Sequence, residues 1–183
     1  RQLEYVELAE SASDGLMMMI NDILDFSRLS LEESELANAE FDLRALLEDL
    51  VVLHAQSNDA SMLDMLNVYD ASLPYIVESD PNRIRQLLNN LINNATKFTD
   101  RGAVLVSAKK EVDEDGKLWI RLAVKDSGIG IREKDLRSIF MPYVQSDGSM
   151  SRRFRGTGLG LTIAEKLAEL LHGDIGVTSD FGH

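Results

Sequence analysis

Two short glycine runs constrain this chain more than anything else in it. Asp126-Ser127-Gly128-Ile129-Gly130-Ile131 closes a stretch of alternating apolar and polar residues, and Gly156-Thr157-Gly158-Leu159-Gly160-Leu161 opens one with helical spacing. Glycine lets a backbone approach a ligand closely and adopt positive φ, so a loop after a strand and a loop before a helix, in this order, can enclose a nucleotide. Either run alone is weak, since Asp-Ser-Gly is most often an ordinary turn.

A third segment upstream gives the pair its meaning. Asn90-Leu91-Ile92-Asn93-Asn94-Ala95-Thr96-Lys97-Phe98-Thr99 lies in a strong helical pattern, with Asn90 and Asn94 on one face and Lys97 and Phe98 a turn further on. Asparagines on a helix face are ordinarily just solvated. Beside two glycine loops, the Asn94 amide oxygen can complete the octahedral shell of a Mg²⁺ whose other ligands are phosphate oxygens and waters. Lys97 can then neutralise phosphate charge. Asp126 ends a strand, where its carboxylate can accept a hydrogen bond from the exocyclic amine of adenine, a group guanine lacks at that position. The N–H groups of the second glycine run, at a helix start, can hold phosphate oxygens. Between the loops, Phe140 to Gln145 can anchor a lid over Ser146 to Arg155, where Arg152, Arg153 and Arg155 come within reach of a γ-phosphate. A solvated basic loop is the other reading of those arginines. Together the three segments point to ATP.

The bulk of the chain fits a nucleotide-binding domain with an accessory element. Its 183 residues, 44% of them hydrophobic, suffice for one compact domain and its core. With 31 acidic against 19 basic residues the net charge is −12, which disfavours nucleic acid and anionic membranes, so positive potential for an anionic ligand must be concentrated locally. The absence of cysteine removes disulfides, thiolate metal sites and thiol nucleophiles, and suits a reducing compartment. No apolar run approaches the roughly 20 residues that span a bilayer, and no signal-peptide pattern opens the chain. The expectation is a soluble segment that does not itself contact membrane.

Residues 3 to 29 place Tyr5, Leu8, Ala12, Leu16, Met19, Ile23 and Phe26 on one face of a long helix, widened by Ile20 and Leu24. Such a helix needs a partner, either a core or a second helix in a dimer. Ser30 to Glu40 is acidic and lacks apolar period, which reads as a linker. Asp42 can cap a helix with Leu43, Leu46, Leu47, Leu50 and Leu53 on its apolar face, and Phe41 sits before it as a hydrophobic staple. A short strand follows around Leu63 to Tyr69. Asp80-Pro81 is a capping carboxylate with proline at the first helical position, opening a helix through Ile84, Leu87, Leu88, Leu91 and Ile92. Ala103 to Val112 and Lys117 to Lys125 read as a β-hairpin, followed by helices near Arg132 to Ile139 and Gly158 to Leu171 and a strand from Gly173 to Ser179. This order predicts an α/β sandwich with a mixed, mostly antiparallel sheet covered on one face by helices.

At these residues the chain resembles the sensor histidine kinases of the GHKL ATP-binding superfamily. Four family boxes occur in order: the asparagine box (Asn90 to Thr99), the first glycine box (Asp126 to Ile131), the phenylalanine box (Phe140 to Gln145) and the second glycine box (Gly156 to Leu161). Ile20-Asn21-Asp22-Ile23-Leu24-Asp25-Phe26-Ser27 is similar to the second helix of the family's dimerisation and phosphoacceptor hairpin. The resemblance implies the GHKL fold over 41–183, after a truncated hairpin helix at 1–30 and a linker at 31–40. It assigns Mg²⁺ to Asn94, the adenine amine to Asp126 and the phosphates to the second glycine box. The expected nucleotide-lining set is Asn90, Asn94, Lys97, Phe98, Asp126, Gly128, Gly130, Ile131, Tyr143, Gly156, Thr157, Gly158, Leu159 and Gly160. Asn90, Asn94, Lys97, Arg152 and Arg153 are expected to serve the reaction.

The family's acceptor histidine has no counterpart here. His54, His172 and His183 lack its acidic and proline context, so the chain is expected to begin after the acceptor helix and to stop before the final strand. Arg155 stands where many relatives carry glycine. The implied activity is transfer of the γ-phosphoryl group of MgATP to a histidine, for relay to an aspartate of a response regulator or receiver domain. The intact protein is expected to be a homodimer through the N-terminal helix, anchored in an inner or plasma membrane with this part cytoplasmic. A non-catalytic regulatory module that exchanges partners is the alternative. A GHKL hydrolase would carry a glutamate base where this chain has Asn90, which cannot take a proton from water.

Overall fold

The computed structural model describes residues 2–30, 35–57, 62–144 and 157–182. The chain opens with helix α1 (Gln2–Ser30), followed by β1 (Ala39–Asp42), α2 (Leu43–Ser57), β2 (Met62–Tyr69), β3 (Ile76–Ser79), α3 (Pro81–Lys97), β4 (Arg101–Val112), β5 (Leu118–Asp126), the single turn α4 (Glu133–Leu136) and α5 (Gly160–Leu170). β2, β4 and β5 form one sheet in that order, β2 parallel and β5 antiparallel to β4, while β1 and β3 form an antiparallel pair. The mixed sheet with helices is the architecture the sequence predicts.

One face of this sheet carries the main core. Val106 and Ala108 of β4 meet Leu43, Leu46, Leu47 and Leu50 of α2 and Ile84, Leu88 and Ile92 of α3, with Leu122 and Val124 of β5 packed against them. The alternation along β4 and β5 puts these strand residues on one side, as the period of two requires. α3 buries Ile84, Leu88, Ile92 and Ala95, one stripe of a helix, which leaves its asparagines on other faces. A second cluster, Leu159 just before α5 with Ile163 and Leu167 of α5, packs against Leu87 of α3 and against Phe26 and Leu29 of α1. α1 is therefore seated on the body of the domain through its C-terminal turns, while Leu16, Met19, Ile20, Ile23 and Leu24 stay exposed.

The capping expectations hold. The Asp42 carboxylate accepts from Ala45 N at 2.9 Å, and Asp80 accepts from Asn82 N and Arg83 N at 2.9 and 3.1 Å with Pro81 opening α3. Asp80 also accepts from Ala37 N at 2.9 Å, tying the segment before β1 to the start of α3. At the hairpin turn, Asp113 accepts from Lys117 N, Asp115 N and the indole N–H of Trp119, and the Lys117 ammonium stands 4.0 Å over that indole.

Two differences from the sequence reading stand out. β1 starts at Ala39, inside the stretch read as linker, and pairs with β3, which the sequence does not announce. The segment from Gly173 to Ser179 is not a strand: among the described residues it makes no sheet ladder, and its Ser179 holds the first glycine loop instead. Gln145, the proposed lid with Arg152, Arg153 and Arg155, Gly156 and His183 lie outside the described residues.

Candidate functional site

The first glycine loop is shaped by what surrounds it. Asp126 ends β5, and its Oδ1 accepts from Gly128 N at 2.9 Å, turning the chain. A Cβ on Gly128 would collide with the carbonyl oxygen of Phe98 and stand 2.8 Å from both Asp126 Oδ1 and Thr99 Oγ1. Only glycine fits so close to the end of α3. Gly130 has φ of 69°, and a Cβ there would run into the Asp180 carbonyl. Ile129 N donates to Phe98 O at 3.3 Å, Ile131 N to Ser179 Oγ at 2.8 Å, and Gly182 N to Ile129 O at 3.1 Å. The loop is thus threaded between the C-terminal end of α3 and the 179–182 segment.

That same end of α3 carries the asparagine box. Asn90, Asn94 and Lys97 are partly buried and Phe98 is exposed, while Thr99 is buried with its hydroxyl donated to Ala95 O at 2.8 Å. Burial pushes the Lys97 ammonium below the usual lysine value, and the ammonium stands 5.2 Å from the centre of the Phe98 ring. Among the described residues no carboxylate forms an ion pair with this partly buried cation, which suits it to receive an anion.

The second glycine loop meets α3 from the other side. Asn94 Nδ2 lies 3.7 Å from where a Cβ of Gly160 would stand, so the start of α5 faces the asparagine box. Thr157 Oγ1 accepts from Leu159 N at 3.1 Å, and Gly158 adopts φ of 73°. Gly158 O accepts from Tyr143 N at 3.1 Å, and Tyr143 itself sits at φ of 63°, which ties the phenylalanine box to this loop. Thr162 Oγ1 donates to Phe140 O at 2.8 Å, a second tie. The N–H groups and positive end of α5 can attract an anion without help from side chains.

Among the described residues, no group of three or more His, Asp or Glu side chains comes together as a metal site. A metal at Asn94 must therefore draw most of its oxygens from a ligand. One neutral amide oxygen suits Mg²⁺, which keeps waters and phosphate oxygens in its shell, so the donor set present fits that ion.

Of the residues expected at the site, the fold brings Asp126 and Gly128 to Phe98 and Thr99 at the end of α3, sets Lys97 beside Phe98, and brings Gly160 to Asn94, while Gly130 and Ile131 lie against the 179–182 segment, Tyr143 against Gly158, and Asn90 one turn before Asn94 on α3. Sequence reasoning missed Thr99, the Phe98 carbonyl and Ser179, which shape the first loop, and Asp22, whose Oδ2 accepts from Thr157 Oγ1 at 2.6 Å. Thr99 lay inside the recognised box and was legible. Asp22 stands 135 positions from its partner, and no local pattern signals it.

Residues 79–183 match the protein family described as Histidine kinase-, DNA gyrase B-, and HSP90-like ATPase. The Sensor protein GacS of Pseudomonas syringae pv. syringae is 38% identical over 182 residues, covering 100% of this chain and 20% of GacS. Full-length ShkA in complex with AMPPNP is similar in structure with a TM-score of 0.83 and 31% identity, over 100% of this chain and 36% of ShkA. Histidine kinase ThkA in complex with the response regulator protein TrrA gives a TM-score of 0.68 at 26% identity, over 93% of this chain and 45% of that one. The chain spans about a fifth of the length of its sequence relative GacS.

Proposed function

This chain belongs to the family of histidine kinase-, DNA gyrase B- and HSP90-like ATPases, and from that premise we propose that it is the ATP-binding catalytic region of a sensor histidine kinase. The observation that carries the reading is the convergence of both glycine loops on the end of α3, Gly128 against Phe98 and Thr99, and Gly160 against Asn94. MgATP, when bound, supplies the γ-phosphoryl group that an imidazole attacks in line. Asp126 selects adenine by accepting from its amine, and Gly128 and Gly130 let the backbone close on the base. Lys97 and the α5 N–H groups balance phosphate charge, and Asn94 offers its amide oxygen to Mg²⁺. Arg152 and Arg153, which lie outside the described residues, are the cations the sequence offers for the γ-phosphate. The chain's work is positioning and charge neutralisation.

Asn90 favours transfer over hydrolysis, because an amide cannot act as general base toward water. In the intact protein the acceptor histidine lies on a preceding helix that pairs with α1, the kinase is a homodimer through that hairpin, and the phosphoryl group passes to a response regulator or receiver domain. The similarity to GacS and to ThkA with its regulator supports that placement. No helix among the described residues is long and apolar enough to cross a membrane, and the reading puts this part on the cytoplasmic side.

The test supplies MgATP and a separate acceptor hairpin, and follows both nucleotide binding and phosphohistidine formation. Binding with transfer is expected, and Asn94→Asp or Asp126→Ala should abolish both while circular dichroism stays native. Binding without transfer would make the chain a regulatory module instead. No binding of adenine nucleotide would end the ATP reading altogether.

A further inference from the structure

Two carboxylates on one face of α1 grip the catalytic body. Asp22 Oδ2 accepts from Thr157 Oγ1 at 2.6 Å and, three residues on, Asp25 Oδ2 accepts from Gln86 Nε2 at 2.8 Å, with Phe26 and Leu29 packed on the α5 cluster just beyond. The two contacts differ in what lies behind them. Gln86 is on the first half of α3, away from the loops. Thr157 belongs to the second glycine loop, and its hydroxyl, committed to Asp22 as donor, accepts from Leu159 N directly before α5 begins. The docked helix therefore places a negative charge against the loop whose N–H groups and helix dipole attract anions.

We propose that Asp22 is an electrostatic antagonist of nucleotide binding: seated on Thr157, it weakens the hold of the second glycine loop on a polyphosphate, and a bound polyphosphate in turn loosens the seat of α1. The inference rests on the reading that this loop holds the phosphates. Coupling of this kind is reciprocal, because both ligands of the loop, the α1 carboxylate and the phosphate tail, draw on the same site. Asp22 acts through Thr157 and the local field, so it is a positioning residue. The position of α1, set by whatever lies upstream of it, thereby becomes an input to nucleotide affinity.

Asp22→Asn keeps the shape and an acceptor oxygen while removing the charge. Calorimetric titration of this chain with Mg-AMPPNP should show tighter binding in the variant, roughly fivefold or more at low salt. The gain should shrink as ionic strength rises, since a partly exposed charge is screened. Asp22→Ala should shift affinity the same way, which guards against a fault peculiar to one substitution. In the unsubstituted chain, Mg-AMPPNP should speed amide exchange over residues 22–29, and in Asp22→Asn that response should be smaller. Equal or weaker binding by both variants, with the unsubstituted chain still binding, would overturn the antagonism and leave the site intact. Failure of every protein to bind would instead overturn the phosphate assignment of the loop.

Discussion

Lys97 shows how a single side chain can serve binding at the expense of the empty fold. Burial disfavours its charged form, so the nucleotide-free protein is less stable with the ammonium in place, and in the proposed reading a bound phosphate would offset that cost. Lys97→Met should therefore stabilise the nucleotide-free chain at neutral pH by up to about 1 kcal/mol, the part of the side chain that stays wet limiting the gain. The sign follows from linkage: the lysine value is depressed in the folded state, so the gain is full at neutral pH and fades as pH rises through the depressed value toward about 10.4. Nucleotide affinity should move the opposite way, falling roughly tenfold or more with a charge-assisted bond lost. Thermal melts across pH and a nucleotide titration check both arms, and a destabilised empty variant would contradict the account. Asn90, Asn94 and Lys97 were legible because a helical period fixes which residues share a face. The Phe98 carbonyl and Ser179 were not, because backbone groups carry no residue-type signal and a serine 48 positions from Ile131 N is joined to it only by the fold.

Among the elements, α3 is the one on which both glycine loops depend, and its start was written plainly as Asp80-Pro81. Burial raises the Asp80 carboxyl, yet the N–H groups of Ala37, Arg83 and Asn82 outweigh it and hold the group below its ordinary range. Its stabilisation is therefore complete above about pH 4 and is lost as pH falls through the lowered folded value. Asp80→Ala should cost about 1–3 kcal/mol, since it removes a cap and orphans Ala37 N as well. Urea unfolding at pH 7 measures the loss, and the gap from the unsubstituted chain should close in strong acid. A change below about 0.3 kcal/mol would show that the cap is redundant. β1 and β3, four residues each, escaped notice because so short a segment has little room for alternation, and its pairing partner lies some 40 positions away. Gly173 to Ser179 misled in the opposite sense. Its Ile175 and Val177 have strand propensity, but a strand exists only where a ladder forms.

For the molecule as a whole, the body of the fold was read correctly from the boxes and the helical stripes, while the seating of α1 was not, because it depends on how two separate surfaces meet. α1 spends Phe26 and Leu29 on the catalytic body and leaves Leu16, Ile20 and Ile23 facing out at 59%, 43% and 48% exposure. In the proposed homodimer this apolar stripe would be the contact surface. Ile20→Glu with Ile23→Glu should lower self-association at least tenfold in sedimentation velocity while the body's melting point hardly moves. Unchanged sedimentation at every concentration would count against the proposed dimer through this helix. The hairpin between β4 and β5 has a consequence of another sort. Trp119 is the chain's single tryptophan, its indole donates to Asp113, and that bond is the main reason the Asp113 carboxyl sits below its usual range. Seven residues of β5, at roughly 3.3 Å each, separate it from Asp126. Intrinsic fluorescence should accordingly be blind to adenine nucleotides yet change colour when acid protonates Asp113, a local optical titration of one turn.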